Sequence, residues 1–309
     1  MRTRAYVCYN SDMDEKKEKF IGALAAFTDY LSKHLPDDIL ARLKEMSDSE
    51  SVPHAKVMYS CMSENLRLAD ETDRPVCQDT GLVQFFVKIG TRFPLIDCLD
   101  ECFREAVYRA FKSAPLRPNA VEYPSERNTL TDVGDGVPYT EFELVPDSDS
   151  ADVTVYLAGG GAALPGKAAV FPPGAGFEGV ARFVADAMVE KGVNACPPLV
   201  VGVGIAGCMA TAAKLAKRAA LREIPSANPR SEIAEQERVL KKILDETAIG
   251  PQGAGGSASV MAVNIECACH HPSSLGVAVQ FGCWAHRRGR IIFDGDLNAE
   301  VKSHGGFRI

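Results

Sequence analysis

The chain has 309 residues, 46% hydrophobic and 24% charged, with a net charge of −7. That length buries a core without disulfide staples, and an acidic balance with no dense Lys/Arg block argues against nucleic-acid binding. No apolar run reaches membrane-spanning length, and the opening MRTRAYVCYNSDMDEKKEKF has neither a secretory nor an anchor pattern, so the chain is expected in the cytoplasm.

In chain order, segments near 14–33, 37–46 and 52–70 carry apolar residues at three- and four-residue spacing, which predicts a helical N-terminal region. Pro36-Asp37-Asp38 marks the start of the second of these helices. LVQFFVKIG (82–90) then reads as a strand, and Pro94 as the opening of the helix DCLDECFREAVYRAF. FELVPD and DVTVYLAGGG read as strands around a short turn, and FEGVARFVADAMVEKG as a helix. PLVVGVGIAG reads as a buried strand entering a glycine turn, followed by the helix CMATAAKLAKRAALR. A charged helix near 231–247 leads into IGPQGAGGSAS, read as a flexible stretch, and SLGVAVQFG and RIIFDGD are the later strands. The expected class is mixed α/β, a single large domain over 14–309 behind an N-terminal extension of residues 1–13.

Ten cysteines need an account in a reducing compartment, where disulfides are disfavoured. No CxxC pair occurs, so zinc ribbons, thioredoxin motifs and bacterial ferredoxin runs lack their signature. Cys98 and Cys102 share a helix face and are expected to pack. Of Cys267 and Cys269, which alternate, one is expected to point inward. Three others sit at Gly- or Pro-rich turns, where backbone N–H groups are free to face a ligand: Cys77 in PVCQDTG, Cys196 in NACPP and Cys283 in GCWAHRRG. From pattern alone, three loop cysteines unrelated in space is the plainer arrangement. The run Gly202–Gly207 suggests a dinucleotide fingerprint, but it is read as lacking the G-x-G-x-x-G spacing, with no suitable βαβ context and acidic residue after it, which argues against a nicotinamide cofactor.

PVCQDTG, AGGG, NACPP, VGVGIAG and GCWAHRRG, in this order, resemble the iron–sulfur subunit of class I hydro-lyases, the class I fumarate hydratases and L(+)-tartrate dehydratases. FFVKIGTRFPL, APLRPNAVE, IGPQG and HPSSLGVAVQFGCWAHRRG resemble the tartrate dehydratase alpha side of the family, and the similarity runs from about residue 36 to 300. The resemblance implies the class I fumarase iron–sulfur fold. It also implies that Cys77, Cys196 and Cys283 bind three irons of a [4Fe-4S] cluster whose fourth iron stays open as a Lewis acid.

The same resemblance assigns the neighbouring groups. Gln78 is expected to donate to a substrate carboxylate or hydroxyl, and Asp79 to serve as acid–base or orienting group; a local turn carboxylate is the plainer reading of Asp79. Arg117 matches a carboxylate-binding arginine, and Gly159 and Gly160 match a turn whose main-chain N–H groups approach the substrate. After the glycines this chain has Ala162, Ala163 and Leu164 where fumarases commonly have Ser-Glu-Asn, which tilts the reading towards tartrate dehydratase. His271 matches a family histidine suited to proton transfer near neutral pH. His286, Arg287 and Arg288 are read as donors to cluster sulfides or as facing a partner chain. Further arginines, a lysine and a threonine are implied on a separate beta subunit, in an α2β2 assembly acting on a small dicarboxylate. The readings carried forward are L-tartrate dehydration, fumarate/malate interconversion, a non-catalytic iron–sulfur sensor and a cluster-free structural protein.

Overall fold

A computed structural model describes residues 11–309, with side chains from Met13 onward; Cys8 and residues 1–10 of the expected extension lie outside the described residues. The fold is mixed α/β. In chain order the elements are α1 (Ser11–Lys33), α2 (Asp37–Ser49), α3 (Pro53–Thr72), β1 (Leu82–Gly90), α4 (Leu99–Ser113), β2 (Val121–Glu122), β3 (Arg127–Asn128), β4 (Tyr139–Val145), β5 (Ala151–Ala158) and the single turn α5 (Gly160–Ala163). There follow β6 (Lys167–Phe171), α6 (Gly176–Lys191), β7 (Leu199–Ala206), α7 (Met209–Ala220), α8 (Ser231–Asp245), β8 (Val260–Cys267), β9 (Leu275–Gly282), β10 (Arg288–Phe293) and β11 (Ala299–Val301). The contacts divide into two compact units.

The first unit comprises residues up to Lys33, Thr80–Leu157 and Gly289–Ile309. Its five-stranded sheet has the order β11-β10-β5-β1-β4, with β1 and β4 parallel. Successive side chains of a strand point to opposite faces, and in β1 this sends Val83, Phe85, Val87 and Ile89 into the core while Lys88 stays exposed. Phe20, Phe27 and Leu31 of α1 and Phe103 and Val107 of α4 bury in the same core. Each such side chain contributes about 1.5–3 kcal/mol by leaving water. Phe20 stands at the centre, its ring 5.8 Å from Phe93, 5.8 Å from Phe103 and 4.6 Å from Phe293. Cys102 lies in this core with Cys98 packed beside it, as expected from their shared face.

The second unit comprises His34–Asp79 and Ala158–Arg288. Its four-stranded sheet has the order β6-β9-β7-β8, with β7 parallel to β8 and antiparallel to β9. Strand β7 is buried along almost its whole length, which requires cover on both faces. Val180, Val184 and Met188 of α6 and Leu240 and Leu244 of α8 supply one part of that cover. Helix α7 supplies another, and the glycines of VGVGIAG explain how closely it sits. A Cβ on Gly204 would lie 1.9 Å from the Ala212 carbonyl oxygen, and one on Gly202 would lie 2.2 Å from that of Ala216. These glycines are inside the strand and serve backbone packing. The expectation of no βαβ context is overturned, since β7, α7 and the parallel β8 form a crossover and Gly202–Gly207 does have the G-x-G-x-x-G spacing. The first two glycines nevertheless face a helix backbone.

Other departures have local causes. Pro94 does not open a helix: Leu95 is non-helical at φ −105° and ψ 16°, a 3-10 turn covers Ile96–Cys98, and α4 begins at Leu99. The stretch IGPQGAGGSAS is held by hydrogen bonds at several points. Gln252 N–H donates to the Pro197 carbonyl at 2.8 Å, Ser257 N–H to Glu50 Oε2 at 3.0 Å and Gly250 N–H to Ser259 Oγ at 3.1 Å. Strands β6 and β8 were not expected. The first is a five-residue, alanine-containing edge strand with little β preference, and the second follows that glycine-rich stretch directly. No helix among the described residues is long and apolar enough to cross a membrane.

Candidate active site

Three turns of the second unit carry the cysteines. Cys77 follows α3, where Asn65 Nδ2 donates to the Val76 carbonyl at 2.8 Å and fixes the chain just ahead of it. Cys196 closes the turn after α6 in the left-handed region, at φ 54° and ψ 73°. Cys283 follows β9. The Trp284 N–H donates to the Cys196 carbonyl at 3.0 Å, which ties the second turn to the third.

The thiols lie within electrostatic reach of one another. Burial pushes the Cys283 thiol up to about 11; the Arg287 charge opposes this, and Cys77 and Cys196 add to it. Cys196 is exposed as a residue, yet desolvation is the main cause raising its thiol, followed by the charges of Cys77 and Asp79. In the bare chain Cys196 and Cys283 are protonated thiols at neutral pH. A coordinated metal reverses that preference, because a ligating thiol is held deprotonated.

Asp79 is the hinge of the arrangement. Its Oδ2 accepts the Gly160 N–H at 2.8 Å, and its carbonyl accepts Arg287 Nη2 at 2.7 Å. A Cβ on Gly159 would stand 3.2 Å from the same Oδ2, so glycine leaves the carboxylate uncrowded. The expected direct approach of the Gly160 N–H to substrate is thereby modified: that donor is engaged by Asp79. Gln78 is exposed, and its Oε1 is 3.7 Å from the Cys77 sulfur.

The remaining expected residues sit as follows. His271 is exposed in the loop between β8 and β9, where its Nδ1 accepts the Ser273 N–H at 3.1 Å. That bond leaves the proton of a neutral ring on Nε2. Arg117 belongs to the first unit and is exposed; its N–H donates to Thr80 Oγ1 at 3.0 Å. Thr80 itself is buried, and Gly81 has φ +80°, which fits structural roles for both.

The three residues 286–288 separate. His286 is buried, with Nε2 3.0 Å from the Ala220 carbonyl; burial first, then the Arg288 charge, push its pKa down to about 3. Arg288 pairs with Asp38. Only Arg287 turns towards Asp79 and Cys283. All three are buried in this chain, which corrects the reading that they face a partner.

Among the described residues no group of three or more His, Cys, Asp or Glu could hold a single metal ion. An iron–sulfur cluster asks for something else: soft thiolates on different irons, around a group that carries negative charge. Three thiols within charge range of one another, with a buried guanidinium near Cys283 whose Nε and Nη1 have no hydrogen-bond partner among the described residues, fit that requirement.

The family model described as "Fumarate hydratase (Fumerase)" matches residues 21–292. The chain belongs to this family, and it is a hydro-lyase. It is 46% identical over 294 residues to "L(+)-tartrate dehydratase subunit alpha" of Escherichia coli strain K12, covering 95% of this chain and 97% of that protein. The protein of the same name from Shigella boydii serotype 4 matches at the same identity and coverage. Membership in this family implies an iron–sulfur cluster in general terms, and the word "subunit" in the relatives' names implies a partner.

Sequence reasoning did not find the hydrogen bond from Gly160 to Asp79, the one from Trp284 to Cys196, or the distinct direction of Arg287. Each depends on which way a turn faces, and no residue pattern reports that.

Proposed function

We propose that this chain is the alpha subunit of an iron–sulfur hydro-lyase that dehydrates L-tartrate to oxaloacetate through its enol, residues 14–309 acting as one functional domain. Cys77, Cys196 and Cys283 hold a [4Fe-4S] cluster. When bound, the cluster supplies an iron without a protein thiolate, a Lewis acid for the substrate carboxylate and the departing hydroxyl. The observation that carries the reading is the nearness of the three cysteines, with Cys77 and Cys196 within charge range of Cys283 and Asp79 within charge range of Cys196, in a chain of this family.

The chain's own residues do the rest. Asp79, oriented by the Gly160 N–H and the Arg287 guanidinium, hydrogen-bonds the substrate hydroxyl and steers the proton. Gln78, exposed next to Cys77, donates its amide to the substrate, and Gly159 keeps the approach to Asp79 open. His271, with Nε2 directed away from the Ser273 bond, exchanges protons with the neighbouring carbon or leaving water. Arg117, carried over from the family resemblance alone, offers a planar fork suited to a carboxylate. The remaining pocket groups come from a separate beta subunit, in an α2β2 assembly. The nine free cysteines among the described residues support a reducing, cytoplasmic setting.

The test is a substrate panel under nitrogen on this chain co-expressed with its partner subunit. L-tartrate is expected to yield oxaloacetate. The family model's description favours one second reading, the alpha subunit of a class I fumarate hydratase, and exclusive hydration of fumarate would establish it. A full cluster without turnover of any dicarboxylate would mark a sensor.

A further inference from the structure

Arg287 heads the largest fully buried side chains, with 2% of its surface exposed. Its Nη2 donates to the Asp79 carbonyl at 2.7 Å, while Nε and Nη1 have no hydrogen-bond partner among the described residues. No carboxylate there forms an ion pair with it either. Its charge acts on the Cys283 thiol, and a Cβ on Gly159 would be 3.9 Å from its Nη2. The side chain therefore reaches from the Cys283 turn to the Asp79 turn.

A guanidinium cannot escape burial by losing its proton. A buried charge with idle donors is costly unless an anion and acceptors meet it. His286 and Arg288 show the contrast: one ring nitrogen meets the Ala220 carbonyl, and the other cation meets Asp38. Arg288 Nε also lacks a hydrogen-bond partner among the described residues, but Asp38 meets its charge; Arg287, with two such nitrogens, is the guanidinium of the pair that no carboxylate there meets.

We propose that Arg287 donates Nε–H and Nη1–H to sulfur of the iron–sulfur cluster, as a positioning residue that offsets cluster charge and couples it to the Asp79 backbone. The proposal rests on the reading that Cys77, Cys196 and Cys283 hold that cluster. Hydrogen bonds to cluster sulfur and nearby positive charge favour the more reduced state, so losing them lowers the reduction potential. The same donors hold the cluster in place, and outer groups of this kind are worth roughly 10–100-fold in metal affinity.

The experiment uses R287Q and R287K in the full chain co-expressed with its partner subunit under nitrogen, with R290Q as control, because Arg290 pairs with Asp152 instead. Three quantities are read: iron and acid-labile sulfide retained against a chelator, the reduction midpoint, and urea unfolding of the iron-free chain. R287Q is expected to retain iron roughly 10–100-fold less tightly and to show a more negative midpoint. R287K, with charge but no fork, is expected to fall between it and the wild type, and R290Q to match the wild type. A folded R287K with wild-type midpoint and iron retention would overturn the assignment, as would an R287Q chain altered only in urea stability. A wild-type protein without iron and sulfide would instead overturn the cluster reading beneath it.

Discussion

Asp79 Oδ2 and the Gly160 N–H are joined by a 2.8 Å hydrogen bond, although the two residues are 81 positions apart. The bond aims the carboxylate from the turn after α3 at the turn after β5. Asp79→Asn keeps an oxygen for this bond and removes the charge. It is expected to retain iron and sulfide and to lose roughly 10²–10⁴-fold in kcat, measured as anaerobic turnover normalised to iron. Wild-type kcat in the loaded variant would reduce Asp79 to a turn carboxylate.

The cysteines divide by position. Cys77→Ser, Cys196→Ser and Cys283→Ser are each expected to abolish activity and most iron content. Cys98→Ser and Cys102→Ser touch only the first unit's core, and Cys208→Ser only the start of α7. They are expected to keep the cluster whatever they do to packing. Iron and sulfide analysis of the six purified proteins decides the assignment. A Cys283→Ser protein with a full complement of both would refute it.

An iron that lacks a protein thiolate is open to oxidants. Air is therefore expected to inactivate the enzyme faster than it unfolds the chain, and ferrous iron with a thiol reductant under nitrogen is expected to restore activity. Bound substrate should slow the loss. Residual activity is followed in air beside the far-ultraviolet circular dichroism; activity that persists for as long as the folded signal would contradict an open iron.

His286 makes stability depend on pH. Folded, it stays neutral down to about pH 3, whereas its ordinary value is 6.5, so in that window the unfolded chain takes up a proton that the folded chain refuses. Stability is complete above pH 6.5 and is lost as pH falls towards 3, with a slope of about 1.4 kcal/mol per pH unit. His286→Gln is expected to remove that slope. Urea unfolding of reduced wild type and variant at several pH values under nitrogen checks this, and equal slopes would show that the ring is not the titrating group.

Much of the fold was legible because burial writes periodicity into sequence. LVQFFVKIG coincides with β1, since Val83, Phe85, Val87 and Ile89 alternate towards one core. The helix expected near 37–46 starts at Asp37 as Pro36 signals. The edge strand β6 was illegible, because its lysine and two alanines have little β preference and none of its five residues is buried. The bonding of IGPQGAGGSAS was hidden because it depends on Glu50, two hundred positions away in sequence. At the site, the cysteine turns were visible as Gly- and Pro-rich motifs and their function came through family resemblance. The Trp284 bond that ties two of them together, and the charges of Cys77 and Cys196 within range of Cys283, required the structure. Gly202 and Gly204 mark the opposite limit: a familiar spacing whose physical cause is the close seat of α7 on β7.

The most direct measurement is oxaloacetate formation from L-tartrate, under nitrogen, by this chain co-expressed with its partner subunit and loaded with iron and sulfide. The account predicts oxaloacetate accumulating with wild-type protein and none with Cys77→Ser, Cys196→Ser or Cys283→Ser. A fully loaded wild-type complex that leaves L-tartrate untouched while hydrating fumarate would contradict it.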